Sequence, residues 1–409
     1  MPEAVIVSAL RTPVGTAFKG TLRDTTAYDL AHHVITAITA STEGLDPARV
    51  DDIIFGEGLY GGGVVARHAA VTAGLTSVAG QAQNRHCAAS LTAVQSAAGS
   101  IRAGMDELII AGGVNSSSTG PKLRFRAGLG GAPQTPEGPF GRSSLRSGRP
   151  NGDGEDWIDP WNPPTHPNRP DAPNLDMSIT VGWNAAVKAG VSREEMDAWA
   201  LRSHRNAVRA IDEGRFKEEI VPIETPYGLF AVDEHPRRET SLEKLASLKP
   251  LHPEIEGFSI TAGNAAGAND GAAALVVASD RLGLPALATV RSWASVGVDP
   301  AETGLAPTKA IPKALSRAGL SLADVDLFEI NEAFAAMCVA TVGILGIDPE
   351  KVNVNGSGCS LGHPVAATGA RMLVTLVHEL RRRGGGIGVA AMCAGGGMGS
   401  ATVIEVAAP

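Results

Sequence analysis

The 409-residue chain carries a net charge of −8, which argues against a general nucleic-acid binder, although helix N-termini and a few arginines can still hold an anionic ligand. Hydrophobic residues make up 44% but aromatics only 4%, so the large core that this length permits must be built from Ala, Val, Leu and Ile. Its four cysteines, at 87, 338, 359 and 393, are too few for a disulfide framework and lack the short paired spacing of zinc sites.

In chain order, Met1 to Val14 lacks the basic stretch and apolar run of a signal peptide. Ala4–Val7 reads instead as a first strand. Further short apolar runs follow at Asp52–Phe55, Glu107–Ala111, Ala273–Ala278, Asp326–Ile330 and Ile387–Met392, separated by helical segments. This is the α/β pattern of buried strands. The segment Leu45–Asp51, ahead of Ile53-Ile54-Phe55, is echoed by Leu320–Asp326, ahead of Leu327-Phe328-Glu329. Cys87 and His363 lie at nearly that same offset, so two similar halves would bring both to one site. Residues from 119 to about 176 are rich in Gly, Pro, Asn and Arg and read as ordered loops, with Trp157 and Trp161 as packing anchors. Ser192-Arg-Glu-Glu195 is a capping box that opens an amphipathic helix running to Glu213. No uncharged run is long enough to span a membrane, and the last four residues carry no targeting tripeptide. A cytoplasmic location, with no nucleic-acid or membrane partner, is expected.

Four separated signals carry chemistry. Cys87 precedes Ala88–Gly104, a helix faced with small residues, where the helix dipole would lower the thiol pKa. Asn331 and Glu332 form a polar pair inside an apolar run, where buried polar groups need partners. His363 sits between Gly362 and Pro364 at the start of a helix expected over Val365–Arg382, placed to activate Cys87. Cys393 follows an apolar strand and precedes Gly395-Gly-Gly397, whose amides could approach a ligand oxygen.

Together these motifs resemble the thiolase family, which makes and breaks the carbon–carbon bond of 3-oxoacyl-CoA thioesters. The likeness covers nearly the whole chain, from Ala9-Leu-Arg-Thr-Pro13 through Thr261-Ala-Gly-Asn264 and Asn269-Asp-Gly-Ala272 to the closing glycine turn. It implies a five-layer αβαβα fold of two similar halves with an inserted loop domain. The first half would span 1–118, completed by 251–275; the loop domain covering CoA would span 119–250, and the second half 276–409. Cys87 would be the acylated nucleophile, His363 its activator and Cys393 the acid/base at the α-carbon. Asn331 would hold a water beside His363, and the Cys87 and Gly395 amides would form an oxyanion hole. Met177, Ala262 and Phe334 would line the pantetheine or acyl region, and Arg237 the nucleotide.

The resemblance implies acyl-CoA and CoA as ligands, no metal or cofactor beyond coenzyme A, and a homodimer or homotetramer. Ketosynthase-like condensation is the alternative chemistry, although those sites usually carry a second histidine where this chain has Asn331. A non-catalytic acyl-CoA-binding protein is the alternative outside enzymes. Departures cluster in the walls of the site. Ala88-Ala89-Ser90 follows the nucleophile where the family has a Ser-Gly pair, and Ala266, Ser357 and Ala366 replace a serine and two glycines. The segment Met177–Asn184 is one residue longer than usual and gains Trp183.

Overall fold

The computed structural model describes residues 1–58, 64–120, 165–167, 169–174 and 176–408, and the backbone of two paired two-residue strands, Phe125–Arg126 and Trp157–Ile158. The expected packing of the loop segment on Trp157 and Trp161 lies outside the described residues.

The first half contributes strands β1 (Ala4–Arg11), β2 (Asp52–Gly56), β3 (Gln81–Gln83), β4 (Leu108–Ser116) and β5 (Asn269–Ser279). The second contributes β6 (Ala288–Gly297), β7 (Leu327–Ile330), β8 (Gly386–Ala394) and β9 (Met398–Val406). Their spatial order is β7-β8-β9-β6-β1-β5-β4-β2-β3. At the middle, β6 and β1 meet only through Val5↔Thr289 and Ile6↔Ala288, so two sheets abut there rather than merge. Each repeats one scheme: β1 and β6 pair antiparallel with β5 and β9, these antiparallel with β4 and β8, and these parallel with β2 and β7. Strand β5 runs through the expected break at 276 and ends at Ser279. A hydrogen-bonded strand is not divisible, so the first half ends there.

Helices α1 (Ala27–Ser41), α2 (Val65–Thr72) and α3 (Ala89–Ala103) belong to the first half. Helix α4 (Arg193–Asp212) lies in the insert, and α5 (Pro307–Ala318), α6 (Ala335–Leu345) and α7 (Thr368–Arg382) in the second half. A capping box of Thr26 and Asp29 starts α1, and Ser192 with Glu195 starts α4 as its sequence predicts. On α1, Leu30, Val34, Ile35 and Ile38 fall on one face and are fully buried.

Strand side chains alternate between faces, and the alternation defines the layers. Val5 and Val7 of β1 and Val276 of β5 pack with α1 and α2. Ile6 of β1, Val277 of β5 and Met392 of β8 face a central layer made of α3 and α7. Val389, Ala391 and Cys393 of β8 face α5 and α6. The result is α1/α2, sheet, α3/α7, sheet, α5/α6: the five layers expected. The central helices cross closely; a Cβ on Gly369 would come within 2.5 Å of the Leu91 backbone. Helix α7 begins at Thr368 rather than Val365, because Pro364 opens a turn whose carbonyl takes the Ala367 and Thr368 N–H groups.

Candidate active site

The two halves present the N-terminal ends of α3 and α7 to one place. Before α3, Asn84 Oδ1 accepts the His86 N–H at 2.9 Å and holds His86 at a φ of +47°. Such a conformation is uncommon outside glycine and clusters at functional sites. It delivers Cys87 partly exposed, two residues ahead of the helix. Desolvation pushes the Cys87 thiol up to about 11, against opposing hydrogen bonds from the Gly395 N–H and its own N–H. Desolvation thus works against the lowering expected from the helix terminus and favours the thiol. Alkylation of Cys87 by iodoacetamide should therefore rise about tenfold per pH unit between roughly 7 and 9. A plateau at neutral pH would reveal a preformed thiolate and overturn this assignment.

On the other side, Asn269 Oδ1 accepts the His363 N–H at 2.9 Å, while Asn269 Nδ2 donates to the Gly15 carbonyl at 3.0 Å. The histidine is thus locked to the start of β5. Its Nδ1 lies 2.6 Å from Thr368 Oγ1, and that hydroxyl donates to the Pro364 carbonyl at 2.9 Å. With the hydroxyl hydrogen committed to Pro364, Nδ1 carries the proton and Nε2 is the free base. Burial, with the Arg371 guanidinium adding to it, pushes the imidazole down to about 3. His363 Nε2 faces Asn331 Nδ2 at 3.4 Å. Asn331 Oδ1 is buried without a hydrogen-bond partner among the described residues.

Cys393 ends the core of β8, with its Sγ 3.5 Å from Met337 Sδ. Burial raises this thiol well above the ordinary range, and nearby Cys87 raises it further. The turn Gly395–Gly397 joins β8 to β9 and brings Gly395 to within 3.7 Å (as a built Cβ) of the His86 ring. Cys338 and Cys359 are different. Their thiols are buried and donate to the carbonyls of Ile330 and Glu332 at 3.5 and 3.7 Å, as structural cysteines do.

A cavity of about 610 Å³ is lined by Arg237 and Ala262 together with Phe18, Lys19, His235, Ala266 and Ala268. Ala268, on the cavity wall, is bridged through its backbone to His363. Phe334 is one step away, bridged to the cavity residue Ala265. Met177 stands at the start of a π-helical turn, Ser178–Trp183, whose Gly182 packs against the Phe334 ring. A π-helical turn of this kind is rare and often marks a functional site. Trp183 lies on Phe258, 5.2 Å between ring centroids.

Two family models match in sequence order: the thiolase N-terminal domain over residues 4–134 and 173–281, and the thiolase C-terminal domain over 284–406. The chain belongs to the thiolase family. It is 42% identical to an acetyl-CoA acetyltransferase of Pseudomonas aeruginosa, with 99% of each chain covered. It is 38% identical to a 3-ketoacyl-CoA thiolase of Bacillus subtilis, over 99% of this chain and 100% of the relative. The crystal structure of the Bacillus anthracis acetyl-CoA acetyltransferase superposes with a TM-score of 0.85 at 38% identity, 99% of each chain being covered. That of human mitochondrial 3-ketoacyl-CoA thiolase gives 0.85 at 35% identity, covering 100% of this chain and 99% of the other.

Several supports of this thiolase site escape a reading of motifs alone. Thr368 fixes the His363 tautomer. Glu332 accepts from Trp199 Nε1 at 3.0 Å, Ser203 Oγ at 2.6 Å, Asn353 Nδ2 at 2.8 Å and the Cys359 N–H at 3.1 Å. The carboxylate is fully satisfied and pins Asn331, its neighbour in the chain, from three directions. Ser357, one of the departures in the site wall, accepts from buried Arg371 at 3.1 Å. Ser90 accepts the Ala370 N–H at 3.0 Å and ties α3 to the first turn of α7. Only a polar residue inside an apolar run hinted at any of these; apart from Thr368, whose partners are His363 and Pro364, most of their partners lie far away in the sequence.

Proposed function

We propose that this thiolase cleaves 3-oxoacyl-CoA with CoA, or runs the reverse Claisen condensation, through an acyl group carried on Cys87. In the cleavage direction His363 Nε2 takes the Cys87 proton as the sulfur attacks the 3-oxo carbon. The C2–C3 bond then breaks, and its electron pair leaves as the enolate of acetyl-CoA, protonated at C2 by Cys393. Free CoA gives its thiol proton to the Cys393 sulfur, attacks the Cys87 thioester and departs as the shortened acyl-CoA, while the released Cys87 sulfur regains the proton held on His363. Neutral resting Cys87 and His363 fit this order, since the proton moves only as the bond forms.

What carries the reading is the meeting of two thiols from opposite halves, one bonded by the Gly395 N–H. That N–H and the Cys87 amide would form one oxyanion hole. Beside them, His363 and Asn331 would form the other, with a water on the unpartnered Asn331 Oδ1 as the missing partner. Arg237 and Lys19 would take the phosphates of CoA, and Met177, Ala262 and Phe334 would line the pantetheine arm or the acyl group. No cofactor beyond CoA enters the scheme, and among the described residues no cluster of three metal-ligating side chains occurs. We place the enzyme in the cytoplasm as a homodimer or homotetramer; no described helix is long and apolar enough to cross a membrane. Exposed β3, at the end of its sheet, offers an edge to a second copy.

The test is CoA-dependent cleavage of a panel of 3-oxoacyl-CoA thioesters, with both acyl-CoA products quantified. No cleavage and no condensation of any member would reject the function. Within the panel, the methyl-lined wall of Ala262, Ala265, Ala266 and Ala268 favours acyl groups larger than acetoacetyl. Each added buried methylene can contribute about 0.8 kcal/mol. Trp183 adds nothing to that wall, because its ring is committed to Phe258. A medium, branched or ring-bearing substrate should show the highest kcat/KM; an optimum at acetoacetyl-CoA with decline thereafter would refute the preference.

A further inference from the structure

The glycine turn that supplies the Gly395 N–H is flexible by composition, and something must hold it. Gly396 and Gly397 sit at φ of +86° and +76°, where side chains are disfavoured. Ala394 and Met398 close the hairpin behind them. Beyond that pair and the Gly395 N–H on Cys87, the turn is held by polar contacts from one short segment, residues 298–303. The Val298 N–H donates to the Gly397 carbonyl at 2.7 Å. The Gly397 N–H donates to Thr303 Oγ1 at 3.0 Å, and that hydroxyl donates onward to the Pro300 carbonyl at 2.6 Å. The two peptide units that flank the Gly397 Cα are thereby both fixed, one by its N–H and the other by its carbonyl, and Thr303 is completely buried.

We propose that Thr303 is a positioning residue: its hydroxyl, aimed by Pro300, fixes the Gly397 amide and through the turn sets the Gly395 N–H against the Cys87 sulfur. A threonine serves here because one hydroxyl can accept from the amide and donate to the carbonyl at once. Valine has the same shape and can do neither.

The segment that carries Thr303 is itself clamped from the insert. A Cβ on Gly304 would lie 2.3 Å from the Val181 carbonyl oxygen, so the π-helical turn packs directly on it. Arg169 reaches Asp299 with two hydrogen bonds, at 3.0 and 2.7 Å, and Asp299 Oδ1 in turn accepts the Ala301 N–H at 2.9 Å. Thr165, from the same stretch of the insert, packs against Gly396. The π-helical turn thus packs directly on the segment that presents Thr303.

The inference rests on the thiolase reading only for what the turn does in catalysis, and the experiment separates the two. Iodoacetamide alkylation of Cys87 at one fixed alkaline pH needs no acyl-CoA and reports the thiolate fraction. Single-turnover acylation of Cys87 from an acyl-CoA, read by intact mass, reports the chemistry. In Thr303→Val, alkylation should fall about tenfold, equal to one unit of thiol pKa. Acylation should slow at least tenfold with little change in the acyl-CoA concentration for half-saturation. Thr303→Ser should restore both. Wild-type alkylation in Thr303→Val overturns the inference, as does a Thr303→Ser variant as impaired as Thr303→Val. If Thr303→Val does not fold, Thr303→Ala takes its place; failure of both to fold also counts against it, since the hydroxyl would then serve the core. If wild type is alkylated as described but never acylated, the thiolase reading fails and the role of Thr303 in the turn stands.

Discussion

Cys87→Ala is expected to reduce both cleavage and condensation to background, because without the sulfur no covalent acyl-enzyme can form. Wild type incubated with an acyl-CoA should gain one acyl mass on the peptide containing Cys87, and the variant none. The structure sharpens this test. Cys338 and Cys359 are buried, donate to backbone carbonyls, and have pKa values pushed well above the ordinary thiol range by burial. Neither can compete as a thiolate. An adduct on either would mean that the nucleophile has been misassigned.

Cys393→Ala should instead divide the reaction. Cys87, His363, Thr368 and the Gly395 N–H all remain, so acyl transfer from a simple acyl-CoA onto Cys87 should persist. Carbon–carbon bond formation and cleavage should fall by roughly two to four orders of magnitude, the scale of a lost acid or base. The substitution removes one buried sulfur, with its contact to Met337, and leaves the strand pairing of β8 intact, so the far-UV spectrum should change little. Near-normal condensation by the variant would reduce Cys393 to a residue that ends a strand.

Much of this architecture was legible, and the reasons are specific. All six apolar runs taken as strands are strands, because each is buried on both faces and therefore continuous in its hydrophobicity. Strand β6 was missed because Ala288–Gly297 alternates buried with partly exposed positions and carries Arg291, Ser292 and Ser295. Strand β9 was missed because it opens on Met398-Gly-Ser-Ala and shows apolar character only near its end. The pairing of the Cys87 and His363 loops could be read from the repeat, since the repeat is the fold.

The electrostatics were less readable. A sequence shows that Cys87 precedes a helix, but not that surrounding atoms strip its water and raise its pKa. The supports of the site were hidden for a similar reason. Glu332 and Trp199, or Thr303 and Gly397, are brought together by layers that only the packed chain defines.

The place of β5 has a consequence for the chain as it is made. This strand lies between β1 and β4, yet it follows them across the whole insert, from Ser116 to Asn269. A ribosome adding 5–20 residues per second needs roughly 8–30 seconds to cover that gap. Throughout it the newborn first half has its outer strands but no central one. Until then the backbone groups of β1 and β4 that β5 pairs in the folded chain lack that partner, and the place between them is an open slot. Such edges pair readily with those of neighbouring chains. The slot is filled only when residues 269–279 leave the ribosome, and the insert must have kept clear of it until then.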